Sequence, residues 1–288
     1  MNYYFDLQLH SHFSDGSKSP TELVDLLRRK HIKVASLTDH NTIHGQYEFH
    51  GAAKKYGIQV IPGVEIYARY KQYNLHVLGY GIDVKGAVLH DTLRETQVKR
   101  KKRIERLVPL LKKKGLTLDI SALFAEPATY VGMANVIRNI QKNASNRRQI
   151  AKTLQKKLYD YYEVYNAFFA KNLETHLPEE YLPMTAVLSL IKKAGGVPVL
   201  SHPGQQLRFG QDKVIKELND LGLQGLECFS SHHNWDQTAH YVMVAKQLKL
   251  AITGGSDYHG DLPGDYIVEN YYSYTSLPLE IYKNIKLF

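Results

Sequence analysis

The 288-residue chain has one cysteine, Cys228. It can therefore form no internal disulfide and no Cys-rich zinc knuckle, so any bound metal must be held by His, Asp and Glu. The scarcity fits a reducing, cytoplasmic setting. Long hydrophobic runs are missing too: no apolar stretch reaches the roughly 18 residues of a membrane helix. Met1 to Phe13 lacks a basic stretch followed by an apolar one, so neither a membrane span nor an export signal is expected. Phosphate-cradling glycine loops are also absent. Gly79-Tyr-Gly81 lacks the rest of a dinucleotide fingerprint, and no Walker-type loop ends in Lys-Ser/Thr. Ser11, Ser201 and Ser256 each adjoin a polar cluster residue, but none stands in the strand-to-helix elbow of a serine hydrolase. No internal repeat or low-complexity tract occurs.

Acidic residues are scarce in one region. Between Leu93 and Thr175 there are 7 Asp/Glu against 18 Lys/Arg, a net of +11 in a chain whose total is +9. The rest of the chain is thus nearly neutral. Such a concentrated positive field suits a polyanionic partner, a phosphorylated nucleotide or a short nucleic acid. A solvated helix face would produce the same run.

What is present is enough apolar residue, 43% of the chain, for one large core or two modest ones. Short apolar or β-branched runs at Tyr4–His10, Val34–Thr38, Gln59–Ile66, Asn74–Ile82, Val197–Ser201, Gly225–Phe229 and Ala251–Gly255 read as strands. Helical patterns lie between them. Ser19-Pro20-Thr21-Glu22 opens one, with Ser19 as N-cap and Leu23, Leu26 and Leu27 as its buried stripe. Further helices are expected near Met184–Ala194, from Asp212 and around Gln237–Leu248. Seven strand-helix units imply parallel strands and an α/β barrel. The basic segment is helical throughout and interrupts the alternation. The expected layout is a first barrel part over residues 1–92, a basic helical insertion or cap over 93–178, and a second barrel part over 179–288.

The candidate chemistry sits where those strands end. His10, Ser11 and Asp15 follow the first strand, Asp39 and His40 the second, Glu65 the third. His76 lies in the fourth, His202 follows the fifth, and Asp257 and His259 follow the last. The C-terminal strand ends of an α/β barrel form its functional face, so these scattered residues should converge. Imidazole mixed with carboxylate suits zinc, manganese or iron, and Glu65 could bridge two ions.

The same residues carry a family resemblance. Asp6-Leu-Gln-Leu-His10-Ser-His-Phe-Ser-Asp15-Gly16, Thr38-Asp-His40-Asn-Thr, Pro62-Gly-Val-Glu65-Ile, Leu75-His76-Val-Leu-Gly, Leu200-Ser-His202-Pro-Gly and Gly254-Gly-Ser-Asp257-Tyr-His259-Gly resemble the ordered motifs of the PHP (polymerase and histidinol phosphatase) superfamily. The resemblance implies a distorted seven-unit, TIM-like (β/α) barrel and two or three divalent ions (Mn2+, Zn2+ or Fe2+). It places a first ion on His10, Glu65 and Asp257, a second on Glu65, His76 and His202, and a third on Asp15, His40 and His259. The family's first motif usually reads Asp-Leu-His-x-His, whereas Gln8 takes the first His position here. Its neutral amide oxygen is a weaker ligand, so the first ion is loosely held, different or absent. His12 is expected to face the loop.

The resemblance further implies a phosphoesterase in which a metal-activated hydroxide attacks phosphorus. Asp257 and His259 would serve catalysis, with His233, in Ser231-His-His233-Asn, beside the reacting group; His232 and His233 also read as surface residues. Insertion-bearing relatives often carry a phosphate-binding Gly-Arg-Pro-His-x-Ala-Arg-like stretch. Its nearest counterpart is Gly132-Met-Ala-Asn-Val-Ile-Arg138, where Met133 and Asn135 replace the first Arg and the His and Arg138 is kept. Arg138, Arg208 and His233 are the candidate substrate contacts. Tyr159, Tyr161, Tyr162 and Tyr165 either stack bases or pack the helices of the insertion. The leading expectation is hydrolysis of nucleotide or short oligonucleotide phosphate esters. A small-metabolite phosphatase resembling histidinol phosphate phosphatases, and a non-catalytic nucleic-acid-binding module with a degenerate metal site, are the alternatives. Nothing in the sequence fixes an oligomeric state.

Overall fold

The structure, a computed structural model, describes residues 4–125, 130–170, 181–208, 210–260 and 277–278. In chain order, its first part holds β1 (Tyr4–Asp6), α1 (Pro20–Arg29), β2 (Ile32–Ala35), α2 (Gln46–Lys54), β3 (Gln59–Val60), β4 (Gly63–Tyr70) and β5 (Tyr73–Tyr80). A helical stretch follows: α3 (Ala87–Lys113), α4 (Ile120–Ala125), α5 (Met133–Lys142), α6 (Ala144–Leu154) and α7 (Tyr161–Tyr165), which runs on as a π-helical turn over Asn166–Ala170. Then come β6 (Leu182–Pro183), α8 (Met184–Lys193), β7 (Val197–Leu200), α9 (Pro203–Gln206), α10 (Asp212–Asp220), β8 (Gly225–Ser230), α11 (Trp235–Gln247), β9 (Ala251–Gly255) and β10 (Leu277–Pro278). No helix among the described residues is long and apolar enough to cross a membrane.

Local chemistry sets these boundaries. Ser19 accepts a hydrogen bond from the Glu22 amide and the Glu22 carboxylate accepts one from the Ser19 amide, so a capping box starts α1 with Pro20 in its first turn. Leu23, Val24 and Leu27 are then buried in one cluster with Phe49, Ala52 and Ala53 of α2.

The strands form two ladders, β10-β1-β2-β3 and β6-β4-β5-β7-β8-β9. Hydrogen bonds join them at both ends. Beyond β2, His40 bridges Glu65 in parallel, continuing the Val34–Gln59 and Ala35–Val60 register. Beyond β1, Leu7 N donates to Gly254 O (3.3 Å), Asp257 N to Gln8 O (3.0 Å) and His10 N to Tyr258 O (2.9 Å). The approach of β1 to β9 needs a glycine, since a Cβ on Gly255 would lie 2.5 Å from the Gln8 amide nitrogen. With β3 and β4 forming one interrupted strand, the ring has seven members. Phe5, Leu7, Val34, Ile61, Leu78, Tyr80 and Val199 fill the interior as one buried cluster, with Phe229 of β8 and Ala251 of β9 packed against it.

One expectation gives way to a different connection. β4 and β5 form an antiparallel hairpin turning at Lys71 (φ 52°), and β5 is antiparallel to β7 as well. A turn this short holds no crossover helix, so β5 cannot be parallel to β4. The hairpin is the distortion in the barrel, and it lets His76, midway along β5, reach the same end as Glu65 on β4.

The helices from α3 to the π-helical turn share an apolar cluster of their own, with Ile104, Leu107, Val136, Ile140, Ile150 and Phe169 fully buried. Tyr159, Tyr161 and Tyr165 pack against it, with Tyr161 and Tyr165 stacked at 6.0 Å, while Tyr162 is exposed. Three of the four tyrosines thus serve helix packing.

Candidate metal centre

Glu65 stands at the middle of the cluster and is fully buried. Its Oε2 lies 3.2 Å from His10 Nε2 and 3.2 Å from His40 Nδ1. Its Oε1 lies 3.1 Å from His76 Nδ1 and 3.2 Å from His202 Nε2. Asp257 Oδ1 is 2.9 Å from His10 Nε2. Asp15 Oδ1 is 3.4 Å from His259 Nε2 and 3.8 Å from His40 Nε2. The structure therefore brings His10, Asp15, His40, Glu65, His76, His202, Asp257 and His259 into one continuous cluster. Three subsets have ligand atoms that all lie within 4.8 Å of one another: His10 with Glu65 and Asp257; His40 with Glu65 and His76; and His10 with Asp15, His40 and His259.

Each ligand arm has a local cause. Asp39, buried, accepts from Ser11 N (2.7 Å), Ser11 Oγ (2.6 Å) and Ser14 Oγ (2.6 Å), which folds the loop after β1. The insertion clamps that loop from outside. Asn135 Nδ2 donates to Ser14 O (3.0 Å), and the Arg138 guanidinium donates to the carbonyls of Asp15 and Gly16. Gly132, capping α5, sits so close to Asp15 that a Cβ there would lie 2.7 Å from Asp15 Oδ2. Asp6 accepts from Ser256 N (2.9 Å) and Ser256 Oγ (2.6 Å), fixing the turn in which Asp257 takes φ 55°. A non-glycine residue in that region is uncommon, Asp being among the better tolerated, and here the turn it makes carries the ligand. His259 Nδ1 bonds the Asp257 carbonyl (2.7 Å), leaving Nε2 toward Asp15.

Burial and charge together set the ionisation. Burial works against charge on Glu65, but His40, His76 and bonds from His10 and His202 outweigh it and hold the carboxyl well below its usual range. Asp257 is likewise held low, burial being overcome by His259, His10 and His232. Burial drives His40 down to about 3 and lowers His202. Burial opposes charge on His10 and His259, but Asp257, Glu65 and Asp15 outweigh it and raise both rings above the usual imidazole value, so the cluster combines ionised carboxylates with neutral His40 and His202; a bound divalent cation takes the neutral form of each ring.

The donor atoms fit such a cation by a second measure. Gln8 Oε1, His10 Nδ1, Asp15 Oδ1, His40 Nδ1, Glu65 Oε2 and Asp257 Oδ1 are buried without a well-formed hydrogen bond. Buried polar atoms are normally satisfied, so a concentration of them in one cage of ligand-type atoms marks a place for cations. Gln8 joins the cage through its other atom: Nε2 donates to Ser201 Oγ (2.9 Å) and Glu65 Oε1 (3.3 Å).

Other sequence candidates lie differently. Both ring nitrogens of His233 meet backbone: Nδ1 bonds Cys228 O (2.9 Å) and Nε2 accepts from Gly204 N (3.0 Å). Its neighbour His232 is the residue that reaches the cluster, with Nε2 2.7 Å from Asp257 Oδ2. The pair His232-His233 carried the signal without saying which ring turned inward. Arg208 is exposed, and no contact among the described residues ties its side chain to the cluster. His12 packs edge-on against Phe13 in the loop.

A barrel with this ligand set at its mouth is the architecture of a divalent-metal enzyme. The chain belongs to the PHP domain family, whose profile matches residues 6–177. It is 27% identical over 261 residues, 90% of this chain and 91% of the relative, to a 5′-3′ exoribonuclease of Haemophilus influenzae. It is 24% identical over 264 residues, 90% and 88% of the two chains, to a 3′,5′-nucleoside bisphosphate phosphatase of Chromobacterium violaceum. Among solved structures, one of a candidate metal-dependent phosphoesterase from Bifidobacterium adolescentis superimposes with a TM-score of 0.75 at 23% identity, covering 94% of this chain and 96% of that one.

Proposed function

We propose that this chain is a metal-dependent phosphoesterase that hydrolyses phosphate esters of nucleotides or short oligonucleotides. The observation that carries the reading is the buried cage of imidazoles and ionised carboxylates centred on Glu65. The nucleotide preference is supported by the named activities of the relatives and by the basic helices set against the cage.

His10, Glu65 and Asp257 would hold one ion, and Glu65, His76 and His202 a second, with Gln8 an amide neighbour to both. Asp15, His40 and His259 would hold a third. Divalent ions there supply positive charge against the phosphoryl oxygens and lower the pKa of nearby water. The chain's own residues supply the rest. Glu65 ties the ligand arms into one rigid unit, and Asp257, steadied by His232, fixes one side of it. The half-buried ring of His259 is oriented by its bond to the Asp257 carbonyl, which turns Nε2 toward Asp15 as the ligating atom it would offer the third ion.

The test is phosphate release by the manganese-loaded protein across nucleoside 3′,5′-bisphosphates, short oligoribonucleotides, mononucleotides and histidinol phosphate, with Asp257→Asn in parallel. Turnover of the nucleotide esters, lost in the variant while its fold persists, is expected. A profile favouring histidinol phosphate would replace the substrate assignment. Salt-sensitive binding of RNA with no turnover on any ester would replace the enzyme by a binding module.

A further inference from the structure

Trp235 is the one tryptophan of the chain, and at 85% exposure it is the most exposed large apolar side chain among the described residues. A lone exposed apolar residue is ordinary, but tryptophan is highly buried on average, and this one stands at the rim of the cage. We propose that the Trp235 indole is a platform on which the base of a substrate nucleotide stacks while its phosphate lies on the cage. The proposal rests on the phosphoesterase reading and adds a base-recognition residue to it.

Three features support it. The first is placement. β8 ends at Ser230, and two residues on His232 Nε2 lies 2.7 Å from Asp257 Oδ2. Trp235 follows His232 by three residues, which limits the separation of their Cα atoms to roughly 11 Å. It is also the first residue of α11, so the helix opens at the cage face. Side chains of a helix lean toward its N-terminus, which turns the indole toward the mouth of the barrel.

The second is rigidity. Ser231 Oγ donates to Ser256 O (2.9 Å), beside Asp257, and His233 Nε2 accepts from Gly204 N (3.0 Å), two residues after His202. Asn234 and Gln237 then close a capping box, with bonds of 2.9 and 3.0 Å, and Gln237 Nε2 reaches Gly204 O (3.4 Å). The backbone under Trp235 is thereby tied to both loops that carry ligands, so stacking on the ring needs little ordering of the protein. The third is the shape of the surface. Tyr241, Val244 and Ala245 form the buried face of α11, and one and two turns beyond Trp235 the exposed side offers Ala239 and Met243. That strip suits one planar ligand, not the roughly 800 Å² face of a protein partner. Every base has a π-face, so such a platform distinguishes a substrate with a base from one without and tolerates any base.

Because Trp235 has no other tryptophan to mask it, its emission reports the contact directly. The manganese-loaded full chain is titrated with the non-hydrolysable phosphonate analogue of adenosine 5′-monophosphate and with the matching ribose phosphonate, which lacks the base. Emission is excited at the red edge of the indole band, where adenine does not absorb, and affinities are read by calorimetry. The adenosine compound is expected to quench the emission saturably and to bind about tenfold tighter than the ribose compound, which should leave the emission unchanged. In Trp235→Ala the preference should fall below about threefold with the ribose compound bound as before, and Trp235→Tyr should restore most of it. Met243→Ala, two turns along the same exposed face, should keep it. Binding of the adenosine compound without quenching, absence of binding by either compound, a preference retained in Trp235→Ala, or equal loss in Met243→Ala would each overturn the assignment. The phosphoesterase reading fails separately, in the release assay: turnover without quenching would remove Trp235 alone, and base-dependent quenching without turnover would remove the hydrolytic reading and leave the platform.

Discussion

Nε2 of His232 lies 2.7 Å from Oδ2 of Asp257, on the opposite side of the carboxylate from His10, whose Nε2 is 2.9 Å from Oδ1. The carboxylate is thereby held from behind while one oxygen faces the cage. Partners of this kind set ligand orientation, and their loss typically costs about 10- to 100-fold in metal affinity or activity. His232→Ala is expected to weaken manganese binding by that order with the fold unchanged, read by metal titration alongside circular dichroism. Wild-type affinity in the variant would remove His232 from the site.

Arg138 and Asp15 give a second prediction. The guanidinium donates to the Asp15 carbonyl, so its effect on the cage passes through the backbone of the loop. Arg138→Met should raise the manganese concentration needed for half-maximal activity and lower the melting temperature, with little change in KM for the nucleotide. A rise in KM alone would instead make Arg138 a substrate contact, the role its motif position suggests.

Removing the metals should be felt in stability. Asp15, Glu65 and Asp257 are buried in one cluster, and they raise the pKa of His10 and His259, whose charge balances theirs in part. Cations that bind only the folded chain add RT ln(1 + [L]/Kd), about 4 kcal/mol at a thousandfold excess over Kd. Chelation is expected to lower the melting temperature by several degrees, and manganese or zinc to restore it in a concentration-dependent way. A midpoint indifferent to both would mean that the cage holds no cation.

Much of this arrangement was legible in the sequence because it depends on short-range pattern. The ligands fall just after apolar runs, and Ser19-Pro20-Thr21-Glu22 announces its helix through capping chemistry that is local by nature. The β4–β5 hairpin was not legible as a reversal: Tyr70-Lys71-Gln72-Tyr73 contains no Gly, Asn or Pro, and the left-handed residue is Lys71. Nor could the sequence tell His232 from His233, since the choice depends on where Cys228 O and Gly204 N lie in space. The role of Arg138 depends on the same kind of long-range placement, 122 to 123 residues from its partners. Long-range geometry, not residue type, decided each of these.

Glu227 yields a prediction about pH. It lies fully buried beneath the cage, where its Oε2 accepts from His202 N (2.8 Å) and its Oε1 has no hydrogen-bond partner among the described residues. Burial first, then the carboxylates of Asp257 and Glu65, raise its pKa well above the ordinary 4.5, so the folded protein keeps this carboxyl protonated. A folded-state pKa above the unfolded value means that the group's stabilisation is complete below the unfolded pKa and is lost as pH rises toward the folded one. Gln reproduces the neutral acid in shape and carries no such penalty. With chelator present, so that metal release does not enter, Glu227→Gln and wild type should melt close together near pH 4.5. The variant should then gain steadily on the wild type toward pH 8. A difference that stays flat across that range would show that Glu227 is ionised in the folded state, which would add a fourth buried carboxylate to the charge the cage must offset.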